Sequence, residues 1–291
     1  MWFDQSLVRA IRDAFPEWMA FFWALLSMLG SVWFVAPVVV LAFWFCDRHR
    51  FLSWVVTVLG GYAIMIGTKS YANIGRPDVG PAIAPESLPS VIAFAYAPFV
   101  EVASSSFPSG HTIAGTIIWT MLALEIRFGT RRKRLAGAAV VIALIGVSRI
   151  ALGLHYLGDV VAGFAIAGSY LLVVLTLPDW LERQTGLESM TTTFALVTVV
   201  ALLSLFGGRS DAAGVFGAVA GLWTVWTYAP PPREPWPLFP SRVAQRIWSL
   251  SGVGLVVLVL AVLGSYGSWL LVGYITGTLI GVVPRLSYSF M

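Results

Sequence analysis

Long apolar runs separated by short polar segments make up most of the chain. About 20 apolar residues are enough for a helix to cross the hydrocarbon core of a membrane, and nine runs approach or exceed that length. They lie at residues 18–46, 51–73, 111–128, 135–152, 158–177, 190–206, 212–228, 247–263 and 266–283. The pattern predicts an all-α, polytopic transmembrane helical bundle of about nine spans.

Residues 1–17 follow a different pattern, in which apolar side chains recur at helical spacing between charged ones. The apolar positions are Trp2, Phe3, Leu7, Val8, Ile11 and Phe15. Such a segment is typical of an amphipathic helix that lies in the membrane interface. Its charges also interrupt the uncharged stretch that a cleavable signal peptide needs, so we expect the first span to remain as an anchor.

The composition agrees with membrane insertion. Hydrophobic residues make up 58% of the chain and charged residues 11%, whereas soluble domains carry about 25% charged residues. This excludes a water-soluble globule. The single cysteine, Cys46, excludes an internal disulfide and a cysteine-rich metal site.

The distribution of basic residues predicts the orientation of the bundle. In a nine-span arrangement, twelve of the eighteen Lys and Arg residues fall on one side, in the segments 47–50, 127–134, 178–189, 229–246 and 284–291. Cytoplasmic loops carry the excess of Lys and Arg in membrane proteins. We therefore expect the opposite side, which includes residues 74–107 and 153–157, to be extracytoplasmic.

Three short motifs with ionisable residues meet at that predicted extracytoplasmic side. The motifs are Lys69 with Arg76-Pro77, Pro108-Ser109-Gly110-His111, and Ser148-Arg149 with Gly153, His155 and Asp159. A charged side chain within a span costs about 2.5–3.5 kcal/mol even on insertion scales, so such a cluster indicates a functional site. A proline-rich loop of residues 74–107 joins the first two motifs and is long enough to predict a lid or binding element.

Taken together, the three motifs resemble those of the type-2 phosphatidic acid phosphatase family. These proteins are integral membrane lipid phosphatases that share their pocket with vanadium haloperoxidases. The resemblance covers residues 18–177, which it implies are the catalytic core. Residues 178–291 would then form a four-span C-terminal extension.

The family resemblance also implies a role for each motif residue. His155 would be the nucleophile, His111 the general acid and base, and Asp159 the group that orients His155. Lys69, Arg76, Ser109, Gly110 and Arg149 would bind the phosphate, which suits their positive charges and the N–H donors at a helix start. Ser148 could either join them or serve as a helix-packing hydroxyl. No cofactor and no metal is implied.

The implied function is metal-independent hydrolysis of a lipid phosphate or prenyl diphosphate through a phosphohistidine, at the extracytoplasmic face of the cell membrane. The expected partners are membrane lipids and the lipid-linked substrate, and no nucleic acid is expected. The four extra spans leave the substrate open, and a small soluble phosphate ester remains an alternative. Phosphotransfer to an acceptor other than water, noncatalytic lipid binding and transport are further alternatives. Transport is disfavoured because the ionisable residues lie at one face and the later spans show no inverted copy of the motif spans.

Two spans near the end of the chain carry glycines at every fourth position. These small-residue ridges comprise Gly217 and Gly221 in one span and Gly273, Gly277 and Gly281 in the other. Small-xxx-small ridges predict close helix packing. From the sequence alone, that packing could be internal or could join the protomers of a homo-oligomer.

Overall fold

The computed structural model describes residues 2–101, 104–228 and 269–286, the last stretch with side chains up to residue 282. Within these residues the regular secondary structure is helical and includes no strand. The predicted fold class, an all-α polytopic bundle, is confirmed. The eighth predicted span, 247–263, and the connector 229–246 lie outside the described residues.

The described α-helices from α1 to α10 follow one another with short connections, except between α4 and α5, and residues 229–268, which separate α10 from α11, lie outside the described ranges. They are α1 (Gln5–Asp13), α2 (Met19–Met28), α3 (Val32–Phe45), α4 (Arg48–Ala72), α5 (Ser90–Val100), α6 (Gly110–Glu125), α7 (Arg131–Ala151), α8 (Leu157–Thr185), α9 (Ser189–Leu205), α10 (Ser210–Tyr228) and α11 (Trp269–Leu286). A 3₁₀ turn, Pro85–Ser87, precedes α5.

Four helical segments of the described chain are long and apolar enough to cross a membrane. They are Met19–Phe45, Arg48–Ala72, Arg131–Ala151 and Leu157–Thr185. Three other apolar helices, α5, α9 and α11, are shorter. The membrane class is therefore supported, while the number of nine spans stays a prediction.

The first predicted span is two helices rather than one. Tight backbone hydrogen bonds from Leu29, Gly30 and Ser31 to carbonyls three residues earlier end α2, and α3 begins at Val32. Gly30 packs so closely against the backbone carbonyl of His111 that a Cβ at this position would clash with it. The break in the span therefore brings the α2–α3 turn against the start of α6.

The chain forms two compact units. The first contains the residues up to Ala36 together with Thr68–Val173, and the second contains Pro37–Gly67 and the residues from Val174 onward. All three motifs lie in the first unit. The three segments predicted from the sequence, 1–17, 18–177 and 178–291, have other boundaries and stay a prediction.

The predicted N-terminal helix is present as α1, and it packs against other helices of the first unit. Asp4 caps the helix by accepting a hydrogen bond from the Ser6 N–H at 2.8 Å. Val8 is fully buried in a cluster with Ile150, Tyr156 and Val160. The apolar face of α1 therefore covers the end of α7 and the connection to α8, where the third motif lies.

The loop of residues 74–107 contains a helix that the sequence pattern did not predict. Helix α5 buries Tyr96 and Val100 against α2, in a cluster that includes Trp23. Its eleven residues are too few for a span and follow a proline-rich stretch, so the pattern indicated only a loop. Contact with α2 is a tertiary effect, which local propensity does not report.

In the second unit, α10 and α11 pack against each other through the predicted glycine ridges. A Cβ on Gly217 or Gly221 would clash with the backbone of α11, and one on Gly273 or Gly277 would clash with the backbone of α10. This packing lies within the chain. A homo-oligomer stays a prediction, but these ridges are already occupied.

Candidate active site

The connection between α7 and α8 carries His155 and Asp159. Gly153 turns the chain after α7 with a φ of +72°, and a Cβ there would clash with the Gly80 carbonyl, so only glycine suits this position. His155 follows in the loop, and Asp159 lies in the first turn of α8. The turn thus brings two buried ionisable side chains together, with Nδ1 of His155 3.2 Å from Oδ2 of Asp159.

The same carboxylate oxygen of Asp159 accepts two further hydrogen bonds. The Tyr156 N–H donates to Oδ2 at 2.8 Å, an arrangement in which a first-turn carboxylate satisfies a donor at the helix start. The Ser106 hydroxyl donates to Oδ2 as well. The other oxygen, Oδ1, is buried and has no hydrogen-bond partner among the described residues.

These contacts assign the tautomer of His155. A carboxylate beside Nδ1 favours the proton on that nitrogen, which leaves the lone pair on Nε2. The Arg76 guanidinium agrees with this assignment, because its Nη1 lies 3.1 Å from Nε2 and can only donate. A neutral His155 therefore presents a nucleophilic nitrogen toward a cation that could hold a phosphate oxygen.

Two of the predicted phosphate-binding cations are held by the backbone of a serine run, residues 104–106. Arg76 donates from Nε to the Ser104 carbonyl at 2.8 Å, and Lys69 donates from Nζ to the Ser105 carbonyl at 2.5 Å. Burial lowers the pKa of Arg76 to about 10, and the charge of Asp159 opposes this change. Arg76 therefore stays charged at neutral pH.

The third cation, Arg149, is fully buried near the end of α7. Its Nη1 donates to the Ser27 hydroxyl at 2.5 Å and to the Phe99 carbonyl at 3.0 Å. Its Nε and Nη2 have no hydrogen-bond partner within the described part of the chain. Buried donors of this kind are rare and unfavourable unless a ligand or water satisfies them, so they indicate a polar binding site.

The second motif forms the start of α6. The Ser109 side chain caps the helix by accepting from the Thr112 N–H, and the Ser109 N–H donates to the Asp159 carbonyl at 3.0 Å. Phosphate binding by Ser109 stays a prediction and would compete with these bonds. Gly110 and His111 lie in the first turn, where N–H groups lack partners within the helix. The His111 imidazole forms no hydrogen bond with the described residues.

Ser148 is also buried, but its hydroxyl donates to the Ile145 carbonyl one turn earlier at 2.7 Å. This bond satisfies the hydroxyl within α7. The contact favours the packing alternative over phosphate binding for Ser148.

The electrostatic surroundings keep His155 neutral. Burial lowers its pKa well below the ordinary value of 6.5, and nearby positive charges lower it further. These charges belong to Arg149, Arg76 and Lys69, and His111 adds to them when it is protonated. The three motifs therefore act on one imidazole, as the sequence predicts for a shared site.

Several groups that hold the site together were not predicted from the sequence. They are the Ser27 hydroxyl, the Phe99 carbonyl and the serine run 104–106. Weak signals existed, since the serine run directly precedes the second motif and Ser27 has the only hydroxyl in the apolar helix α2. No cluster of three or more His, Cys, Asp or Glu side chains suited to a metal ion occurs in the described ranges.

Comparisons with known proteins match the segment that contains the three motifs. The family model of the PAP2 superfamily matches residues 50–183. Phosphatidylglycerophosphatase B of Bacillus subtilis (strain 168) is 34% identical over 94 residues, which are 30% of this chain and 46% of that protein. Lipid A 1-phosphatase of Rhizobium etli is 31% identical over 124 residues, which are 42% of this chain and 50% of that protein.

The sequence matches to the two relatives cover only part of each protein. This chain spans about half the length of the two relatives, and no solved structure matches it significantly. The matched segment nevertheless includes every motif residue named above. The resemblance to the type-2 phosphatidic acid phosphatases is thus confirmed, and residues 50–183 of this chain match the family model of the PAP2 superfamily.

Proposed function

We propose that this protein is a membrane phosphatase that releases phosphate from a lipid-linked phosphate ester or diphosphate through a phosphohistidine on His155. One observation carries the proposal. A buried imidazole has its Nδ1 against the Asp159 carboxylate at 3.2 Å and its Nε2 beside the Arg76 guanidinium at 3.1 Å. This arrangement suits a histidine nucleophile facing an anion, because one partner fixes the tautomer and the other attracts phosphate oxygens.

Phosphate binding would use the cations that surround His155. The Arg149 guanidinium can donate two parallel hydrogen bonds to phosphate oxygens. Arg76 would bind a phosphate oxygen in exchange for one of its bonds to the Ser104 and Leu154 carbonyls. Arg149 brings two buried donors that have no other described partner. Lys69 supplies a further charge, and the Gly110 N–H lies at a helix start, where anions are favoured.

The reaction would then proceed in two steps at phosphorus. Nε2 of His155 attacks and forms the P–N bond while the bond to the leaving oxygen breaks, and His111 donates its proton to that oxygen. Water next attacks phosphorus, His111 takes a proton from it, and the P–N bond breaks to release phosphate. Asp159 stabilises the positive charge on the His155 ring in the intermediate.

The relatives support a lipid-linked substrate. Both matched proteins are named as phosphatases, one for phosphatidylglycerophosphate and one for the 1-phosphate of lipid A. We rank phospholipid phosphates and prenyl diphosphates together as the substrates to test first. The positive-inside distribution of Lys and Arg supports an extracytoplasmic site.

The experiment that tests this function is phosphate release by the purified protein in detergent containing EDTA. The panel would contain phosphatidate, phosphatidylglycerophosphate, a polyprenyl diphosphate, a sphingoid phosphate and glucose 6-phosphate. We expect release from at least one lipid substrate at a rate that EDTA does not reduce. Failure to release phosphate from any of them would overturn the proposal, and loss of substrate without free phosphate would favour phosphotransfer.

We also predict the acid side of the pH profile. Only the neutral imidazole has a lone pair on Nε2, and burial together with nearby cations lowers the pKa of His155 below 6.5. As the pH falls, kcat/KM should therefore hold its plateau through 6.5 and decline only at lower pH. The measurement is kcat/KM between about pH 5 and 9.

A second pH profile distinguishes the titration of His155 from that of the substrate, whose own phosphate titrates near pH 6. In Arg76→Gln, one cation beside His155 is gone, so the acid limb of the residual activity should move to higher pH. A limb caused by the substrate would stay in place. A wild-type limb above pH 6.5 would contradict the assignment of a neutral, buried nucleophile.

A further inference from the structure

A hydroxyl group outside the three motifs contacts both members of the His155–Asp159 pair. Ser106 is fully buried, its Oγ donates to Oδ2 of Asp159, and the same Oγ lies 3.4 Å from Nδ1 of His155. A hydroxyl can donate one hydrogen bond and accept others at the same time. Ser106 can therefore hold the carboxylate with its proton and accept from the Nδ1–H with a lone pair.

We propose that Ser106 is a positioning residue, which fixes the Asp159 carboxylate and the His155 ring so that Nε2 points toward the phosphorus. This inference rests on the proposed function, because it concerns the same reaction. Ser106 would not touch the substrate. It would act through the orientation of the two groups that carry the nucleophile.

The Asp159 carboxylate depends strongly on this contact. All of its described side-chain hydrogen bonds converge on Oδ2, and Oδ1 is buried without a described partner. Without the Ser106 hydroxyl, the Tyr156 N–H and the His155 ring would be the remaining groups of the described chain that oppose rotation of the carboxylate. A rotated carboxylate would no longer hold the Nδ1–H in line, and the Nε2 lone pair would lose its direction.

The backbone of Ser106 is fixed without its side chain. Its N–H donates to the Ile74 carbonyl at 2.8 Å, and its own carbonyl lies 3.4 Å from the Lys69 ammonium. An alanine at this position would therefore keep the local chain path. The described partners of the Ser106 hydroxyl are therefore His155 and Asp159. This arrangement is expected of a positioning group rather than of a turn residue.

The inference is tested by kcat and KM for Ser106→Ala, Ser106→Cys and Ser106→Thr on the lipid substrate that the wild type prefers. We expect the Ala and Cys variants, which lack the hydroxyl, to lose kcat by on the order of 10- to 100-fold while KM stays within about threefold. The Thr variant keeps a hydroxyl and should recover most of the lost kcat. Ser204→Ala is the matched control, because Ser204 is also buried and its hydroxyl donates only to the Ala201 carbonyl within α9.

The outcomes separate this inference from the proposed function. If the wild type releases no phosphate, the proposed function fails. If the wild type is active and the Ala or Cys variant keeps its kcat, or changes KM alone, the positioning role of Ser106 is wrong and the phosphatase stands. Should the Ala variant not fold, as judged by size-exclusion chromatography in detergent, the isosteric Cys variant decides by the same criteria.

Discussion

His155→Ala is expected to lose phosphate release by about four orders of magnitude or more, because it removes the atom that would form the P–N bond. The protein should remain folded. Oδ2 of Asp159 keeps hydrogen bonds from the Tyr156 N–H and the Ser106 hydroxyl, so the carboxylate is not left without partners. The measurement is phosphate release in detergent, together with covalent capture of labelled phosphate on the denatured protein.

The chain contains its own control for this variant. His49 lies in α4, outside the unit that contains the motifs, and its ring packs 5.0 Å from that of Trp226. His49→Ala should therefore keep normal turnover. In His111→Ala, both the formation and the hydrolysis of the phosphohistidine should slow, because His111 would transfer a proton in each step. Normal turnover by His155→Ala would remove this residue as the nucleophile.

Arg149→Lys should lower kcat/KM by about 10²–10³, although it preserves the charge. The Arg149 guanidinium is anchored at Nη1 by the Ser27 hydroxyl and the Phe99 carbonyl, which directs Nε and Nη2 away from these partners. Those two donors lie in one plane and can bind two phosphate oxygens together, whereas a lysine ammonium is a point charge. The measurements are kcat/KM and the inhibition constant of inorganic phosphate, which should weaken in parallel.

A milder change tests the hydrogen bond that holds Nη1 of Arg149. Ser27→Ala removes the hydroxyl that accepts from Arg149 and should lower kcat/KM by about tenfold, the effect of one hydrogen bond to a charged group. Ser31→Ala is the comparison, because Ser31 lies in the following turn and its hydroxyl accepts from the Trp33 N–H instead. If Arg149→Lys keeps the wild-type kcat/KM, the paired Nε and Nη2 donors of Arg149 are not needed to bind the phosphate.

The sequence predicted the features that depend on local order. Apolar runs predicted the helices. The family resemblance, rather than the spacing, implied that Asp159 orients His155, and the structure places their side chains 3.2 Å apart. The roles of these residues in catalysis remain predictions. Local pattern also predicted α1, since its apolar positions recur at helical spacing.

Tertiary contacts account for what the sequence could not predict. The first span is divided at the turn where Gly30 approaches the His111 carbonyl, a contact that no local pattern reports, and α5 is stabilised by packing on α2. Ser27 and Arg149 are 122 positions apart, so no window of the sequence relates them. Ser106 lies two positions before the second motif, yet its partner is in α8, and only the fold shows that they meet.

The bond between Ser27 and Arg149 also has a consequence for biosynthesis. Translation produces α2 long before α7, so the acceptor hydroxyl is already made when the arginine leaves the ribosome. The guanidinium can then enter the forming bundle against a polar partner rather than against lipid alone, which lowers the cost of burying its charge. Assembly of α7 beside α2 would thus help to insert a helix that carries an arginine, and would complete the anion site in the same event.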